Sequence, residues 1–329
     1  MNAHDTLVLA MLASAVAAGA AAADAPKPPE PGPWKLASVA ALTLTQSSFS
    51  DNWSGGDQGS LVWVLGTDSN AERQFSTSFI SSNHLVLAYG QTSRQRSKDA
   101  PRQSQLMWES PEKSTDKIQF ESVERWTLQS FVDPYIALRF DSQFLDLGSD
   151  PTPRRRGISL NPVKLKETAG IARVLFKTEG REGISRLGFG VRQTFAKSYV
   201  DSSSRRNSIT ANDGGFEWQT NVTQPILEKK VLYKGQLLVF QPLFYSKANE
   251  LKKNVPAAKD YWKTANVDFQ NSFDAAITKY LGVSLFAQFV YDKFDASADV
   301  TNPADVHLKT RKAGQFKETL SLALTYRLL

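Results

Sequence analysis

Residues able to do covalent chemistry are few in this chain. It has no cysteine and three histidines, His4, His84 and His307. Thiol nucleophiles, disulfide frameworks and cysteine-ligated metal sites are therefore excluded. A hydrolase attacking a lipid ester would need a serine beside a histidine on the outward rim of its scaffold. His84 shares its alternating phase with Ser76, Ser78 and Ser82, opposite Phe75, Phe79, Leu85, Leu87 and Tyr89, so it should point away from the apolar face. His307 stands between Asp305 and Lys309, and no paired acid cluster accompanies it for carboxylate-assisted peptide cleavage. Phosphate-cradling loops, dinucleotide fingerprints and metal-ligand spacings do not occur; Gly188-Phe189-Gly190 lies inside an alternating run with no helix after it. The expected catalytic, cofactor and metal residues are accordingly none.

What must position the remaining polar groups is a set of strands. From Leu36 onward a two-residue alternation recurs and a helical period does not. Near the C-terminus, Phe316, Leu320, Leu322, Leu324, Tyr326 and Leu328 take one phase and Lys317, Thr319, Ser321, Ala323, Thr325 and Arg327 the other. Val267, Phe269, Phe273, Ala275 and Ile277 oppose Asn266, Asp268, Gln270, Ser272 and Asp274, and Leu187, Phe189, Val191 and Phe195 oppose Gly188, Gly190, Arg192 and Thr194. About twelve strands are predicted, at 36–49, 58–67, 72–93, 117–129, 132–147, 158–176, 183–199, 214–227, 232–246, 261–277, 279–294 and 314–329. Their connections alternate long and short, beginning with 50–57, 68–71, 94–116 and 130–131. Short turns on one side and long loops on the other are the signature of an antiparallel transmembrane β-barrel with both termini in the periplasm. A soluble sandwich has no reason to sort its loops by parity.

Tyrosine supplies a second sign. Tyr89, Tyr199, Tyr245, Tyr261 and Tyr291 fall beside long loops, and Tyr135, Tyr233, Tyr280 and Tyr326 beside short turns or the C-terminus. Two aromatic girdles flanking an apolar band are expected of a barrel in lipid. The negative mean hydropathy then fits one apolar face per strand, a polar lumen and long loops. Apart from the N-terminus, no apolar run approaches the roughly 20 residues of a spanning helix.

The polar phases place Arg139, Asp141, Arg192, Glu217, Asp268, Asp274, Lys317 and Arg327 toward the lumen, since on the lipid face each would cost about 2 to 4 kcal/mol near the midplane. Both signs are present, so the interior could be a salt-bridged plug or a weakly selective pore. Across the chain, 39 Lys and Arg stand against 33 Asp and Glu. Basic residues gather in the long loops, at Arg94, Arg96, Lys98 and Arg102, at Arg154 to Arg156, and at Lys309, Arg311 and Lys312. They could pair with lipopolysaccharide phosphates, although Asp99, Asp213 and Asp305 cancel much of their charge. Nucleic acid is not an expected partner.

Residues Leu7 to Ala23 read as the apolar core of a signal peptide ending at 25, and 26–35 as a proline-rich periplasmic spacer before a barrel over 36–329. The last strand, Leu324 to Leu329, has the alternation that barrel-assembly machinery reads, with Leu329 where phenylalanine is commoner.

The run from Leu42 to Gly56, with Gln46 and then Asn52-Trp53-Ser54-Gly55-Gly56, resembles the opening motif of an uncharacterised bacterial family of predicted outer-membrane β-barrels, catalogued as a domain of unknown function. Leu160-Asn161-Pro162 through Lys166-Glu167-Thr168-Ala169-Gly170-Ile171-Ala172 is similar to a second block of that family. The resemblance implies fold and location, and lends no catalytic residues. Physically, Asn52 to Gly56 reads as a tight turn with Trp53 as its anchor.

The resulting expectation is a monomeric outer-membrane barrel of a Gram-negative envelope, a non-catalytic narrow channel or structural protein in contact with lipid. The competing class is an outer-membrane hydrolase of lipid or peptide acting at the barrel rim.

Overall fold

The computed structural model describes residues 30–47, 59–99, 102–128, 130–148, 156–199, 206–311 and 314–328. The segment read as a signal peptide and the run from Asn52 to Gly56 expected to form a turn lie outside them. Fifteen strands form: β1 (Lys35–Ser47), β2 (Ser60–Ser76), β3 (Phe79–Asp99), β4 (Arg102–Trp108), β5 (Glu112–Trp126), β6 (Asp133–Ser142), β7 (Leu145–Asp146), β8 (Ile158–Ser159), β9 (Val163–Thr178), β10 (Arg181–Tyr199), β11 (Arg206–Ile226), β12 (Val231–Tyr245), β13 (Asn266–Ala276), β14 (Leu281–Tyr291) and β15 (Gln315–Arg327). Each long strand pairs antiparallel with the next, and β1 meets both β2 and β15, so twelve strands close into a barrel. β4 only extends the β3 tip, and β7 and β8 make a separate small ladder in a loop.

Outward phases carry the apolar side chains. On β15, Phe316, Leu320, Leu322, Leu324 and Tyr326 are all exposed, as are Leu187 and Phe189 on β10. Such faces are stable only against an apolar medium. On β3 the girdles are ten residues apart, at Phe79 and Tyr89; at about 3.3 Å per residue and about 40° of tilt that spans about 25 Å. Trp34, Phe75, Phe79 and Trp126 form an unbroken aromatic string at the short-turn end, with centroids 5.5 to 5.8 Å apart. Trp63, Tyr89 and Phe144 do the same at the long-loop end.

Several boundaries differ from the sequence reading. The first short turn is Thr77–Ser78, not 68–71, and β2 runs straight through that segment. Asp68, Asn70 and Glu72 look like turn residues, but they are the lumenal phase of a strand. The region 94–116 is largely a β3–β4–β5 extension, and β11 begins at Arg206 because its upper half pairs with β10 beyond the band. Tyr261 lies in a loop, ahead of β13.

Three tyrosines also leave the girdles, Tyr199 because it stands at the outer tip of β10, buried under Arg156 and Arg206. Tyr135 is 3% exposed and turns into the lumen, and Tyr245 is buried beneath a loop core. Tyr135 stands opposite Gly170 on β9, which stands opposite Gly188 on β10. A Cβ on Gly188 would lie 2.7 Å from the Tyr135 hydroxyl and from the Ala169 carbonyl. The glycines thus make room for a ring that covers two bare positions of the sheet. Charge is not confined to the interior either. Arg73, Glu124, Glu167 and Arg173 share outward phases; Arg73 and Arg173 stack on Phe75 and Phe131 near the short-turn rim, and Ser81 and Ser122 hydrogen-bond Glu124. Reaching the rim or finding local donors lowers the cost that was expected to force them inward.

Candidate functional site

Alternation of the strands brings the chemistry-bearing side chains into one polar lumen. Arg139 and Asp141, two residues apart on β6, form a two-point ion pair at 2.7 and 3.0 Å. Arg192 on β10 pairs with Asp213 on β11, and Lys166 on β9 reaches past β10 to Glu217. Arg186 on β10 crosses β9 and β6 to Glu121 on β5 at 2.7 Å. These groups make a dense salt-bridged wall. The facing wall holds its carboxylates with neutral donors instead. Asp268 accepts from Gln270 and Gln288, each at 2.8 Å, and Asp274 accepts from Ser272 and Ser284.

Some contacts span the bore. Lys177 on β9 joins Glu182 at 2.9 Å and reaches Glu72 on β2 at 3.6 Å, with β6, β5 and β3 between them in the sheet. Lys234 on β12 approaches Asp68 on β2 at 4.0 Å from the opposite side. Around these chords the lumen keeps real volume. One cavity of about 530 Å³ is lined by Asp68, Lys117, Gln219, Lys234 and Gln270 among others. It shares His84, Asn70 and Glu121 with a second of about 250 Å³ that extends to Glu182 beside a short turn. Toward the long loops a chamber of about 160 Å³ lies among Arg139, Lys166, Arg192, Glu217 and Asp295.

Two long loops fold over that upper chamber. The first carries helix α1 (Ala248–Asn254) and the second helix α2 (Pro303–Leu308). Leu251, Val255, Ala258, Phe294, Ala298, Val300 and Val306 form an apolar core with Ala211 and Tyr245 of the strands beneath, and Leu251 and Val306 are fully buried. Polar ties fasten this lid to the barrel: Lys164 to Asp295 at 3.2 Å, and Asn207 to Asp299 at 2.6 Å. Burial opposes the charge of Asp295, but Lys164 and the Ser297 N–H outweigh it and hold the carboxyl well below the usual range. Neighbouring Asp292 goes the other way, raised by burial and by the Asp295 charge.

The sequence-predicted groups are thus brought together unevenly. Arg139, Asp141, Arg192, Glu217 and Asp268 all line the upper chamber, Asp274 lines the 530 Å³ cavity, and Lys317 stands on the lumenal phase opposite Gln288. Arg327 pairs with Val39, and its side chain lies outside the described residues. Gln46 is exposed on the outward phase of β1. His84 donates or accepts at 2.9 Å with Asp68, and among the described residues no hydroxyl joins that pair as a nucleophile. Asp305 is taken up by the Asp299 N–H and by Lys309. Part of the basic loop charge is likewise used internally: Arg156 and Arg206 both stack on Tyr199. In the second resemblance block, Asn161 is 3% exposed and bonds both the N–H and the carbonyl of Lys197, pinning its loop to β10. The cross-bore partners Lys177, Glu72 and Lys234 escaped sequence reasoning, because alternation gives a face but not the residue opposite across a closed sheet.

The family described as a protein of unknown function, DUF3078, matches residues 44–146, which takes in most of the opening motif and stops short of the second block. No curated protein matches the sequence. Among solved structures, the chain is similar to the COG4313 outer membrane channel from Pseudomonas putida F1 at 11% identity, over 94% of this chain and 99% of that one, with a TM-score of 0.40. It is similar to the translocator domain of autotransporter NalP from Neisseria meningitidis at 7% identity, over 99% and 95%, with a TM-score of 0.36. The β domain of the Bordetella autotransporter BrkA shares 12% identity over 89% and 98%, with a TM-score of 0.33.

Proposed function

We propose that the protein is a monomeric outer-membrane barrel that serves as a narrow, non-catalytic conduit for small polar solutes, covered on its outer side by the α1 and α2 loops. On this reading the short turns face the periplasm, the aromatic girdles meet the headgroups, and a signal peptide and the barrel-assembly machinery deliver the chain to a Gram-negative outer membrane. Lipid is then its constant partner, with lipopolysaccharide beside the basic loops. The observation that carries the reading is the polar, charge-lined lumen behind an apolar exterior, with about 530 Å³ of free volume in its lower part.

A closed structural barrel is the second reading, favoured by the Lys177 chord to Glu72 across the bore. Planar-bilayer recording of the purified barrel separates the two. The conduit gives discrete conductance steps, enlarged in Lys177→Ala; a folded barrel silent in both forms is a structural one. A rim hydrolase would show lipid or peptide turnover that His84→Ala abolishes, which this reading does not expect.

A further inference from the structure

The ladder that closes the barrel is its shortest. β1 and β15 are paired only from Val39–Arg327 to Thr43–Ala323, five positions, while the next shortest barrel ladder, β5 with β6, has eight. Both strands continue toward the long-loop side, β1 to Ser47 along β2 and β15 from Gln315 along β14. The same register would set Leu44 against Leu322, Thr45 against Ser321, Gln46 against Leu320 and Ser47 against Thr319, yet none of these is paired. The two strands part above Thr43 and Ala323. Residues 315–320 are exposed on both faces, and Phe316 and Leu320 each reach 68%.

Depth makes this unusual. Tyr326 stands at the short-turn girdle and Phe316 ten residues above it, so the parted stretch lies at the level of the outer leaflet. Lipid offers no hydrogen bonds to an open strand edge, and barrels normally close to avoid one. The lips are chemically sorted. Leu44, Leu320 and Leu322 face outward, Thr45, Thr319 and Ser321 inward. Behind them stand Lys317 and its electrostatic neighbour Lys117, neither in an ion pair with any described residue; of the acids that act on Lys117, Asp141 is held by Arg139 and Asp268 is bonded by two amides. Apolar lips, a hydroxyl edge and free ammonium groups behind it match a molecule with one acyl chain and an anionic head.

We propose that the parted half of the β1–β15 seam is a lateral portal, in which a single-chain amphiphile keeps its tail in the outer leaflet while its anionic head enters the lumen. This rests on the conduit reading and names a substrate class for it. Because the chain has no cysteine, a Thr45→Cys/Ser321→Cys variant carries only the two thiols that would zip the seam. The probe is lysophosphatidate with a photoactivatable acyl chain, applied to the folded barrel in neutral detergent. In the reduced variant, adducts fall on Leu44, Leu320 and Leu322; oxidation lowers labelling at least tenfold and reduction restores it. Lys317→Gln and, as a single substitution on an exposed lip, Leu320→Trp each lower it several-fold. Labelling that is indifferent to oxidation and to Leu320→Trp, or spread evenly round the girdle, overturns the portal. So does equal protection by inorganic phosphate, which would mean an anion site without a tail, or a disulfide-linked dimer, which would mean that a second copy covers the edge. Oxidation-sensitive labelling of a barrel that does not conduct supports the portal and removes the conduit.

Discussion

Tyr135 fills space that two glycines leave bare, so its truncation should be felt by the whole barrel. Tyr135→Ala is expected to cost about 3 kcal/mol, since the ring is 3% exposed and its hydroxyl end lies over Gly188. Urea unfolding of the folded barrel in detergent measures it, and Tyr135→Phe should retain most of the stability. At this scale the facing direction of Arg139, Asp141, Arg192, Glu217, Asp268, Asp274 and Lys317 is legible in the sequence, because a strand's period is two. Tyr135 was not: its place next to a short turn suggested a headgroup anchor, and only the glycines two strands across reveal the opposite role. Outward Glu124 was missed for a related reason, since its donor Ser81 comes from the neighbouring strand β3.

Among the elements, the two folded loops are the moving part to test. Val306→Asp places a charge in the centre of their core. The barrel should stay intact while trypsin gains access to Lys309 and Arg311, and conductance should rise; resistance to trypsin equal to that of the wild type would show that the core does not hold the lid. Acidity acts on the same region. A carboxyl held below its ordinary value keeps its charge, and the docking it supports, until the pH falls through that lowered value, so Asp295 stays tied to Lys164 between pH 7 and pH 4. Asp292, raised above its ordinary value, takes up a proton first. Cation preference measured by reversal potential should therefore decline as the pH falls through that window, and Asp292→Asn should flatten the decline. The sequence marks both segments as long connections but not as a core, because Leu251, Val255, Val300 and Val306 follow neither a strand period nor a helix long enough to show one.

Among the described residues the twelve long strands form a closed sheet whose shortest ladder is the β1–β15 seam. Such closure should survive dodecyl sulfate at room temperature, so an unboiled sample migrates faster than a boiled one; identical mobility would be incompatible with the barrel. Sequence by itself determined the strand type, the number of strands, the two-faced character of each and the sorting of turns from loops, all of which follow from the local two-residue period. The tertiary structure decided what depends on position around the ring: which charges meet across the bore, where Tyr135 and Tyr245 turn, how two distant loops share one core, and where the last ladder stops. Those are contacts between residues that no local period relates, because closing a tilted sheet sets their distances through the register of every strand between them.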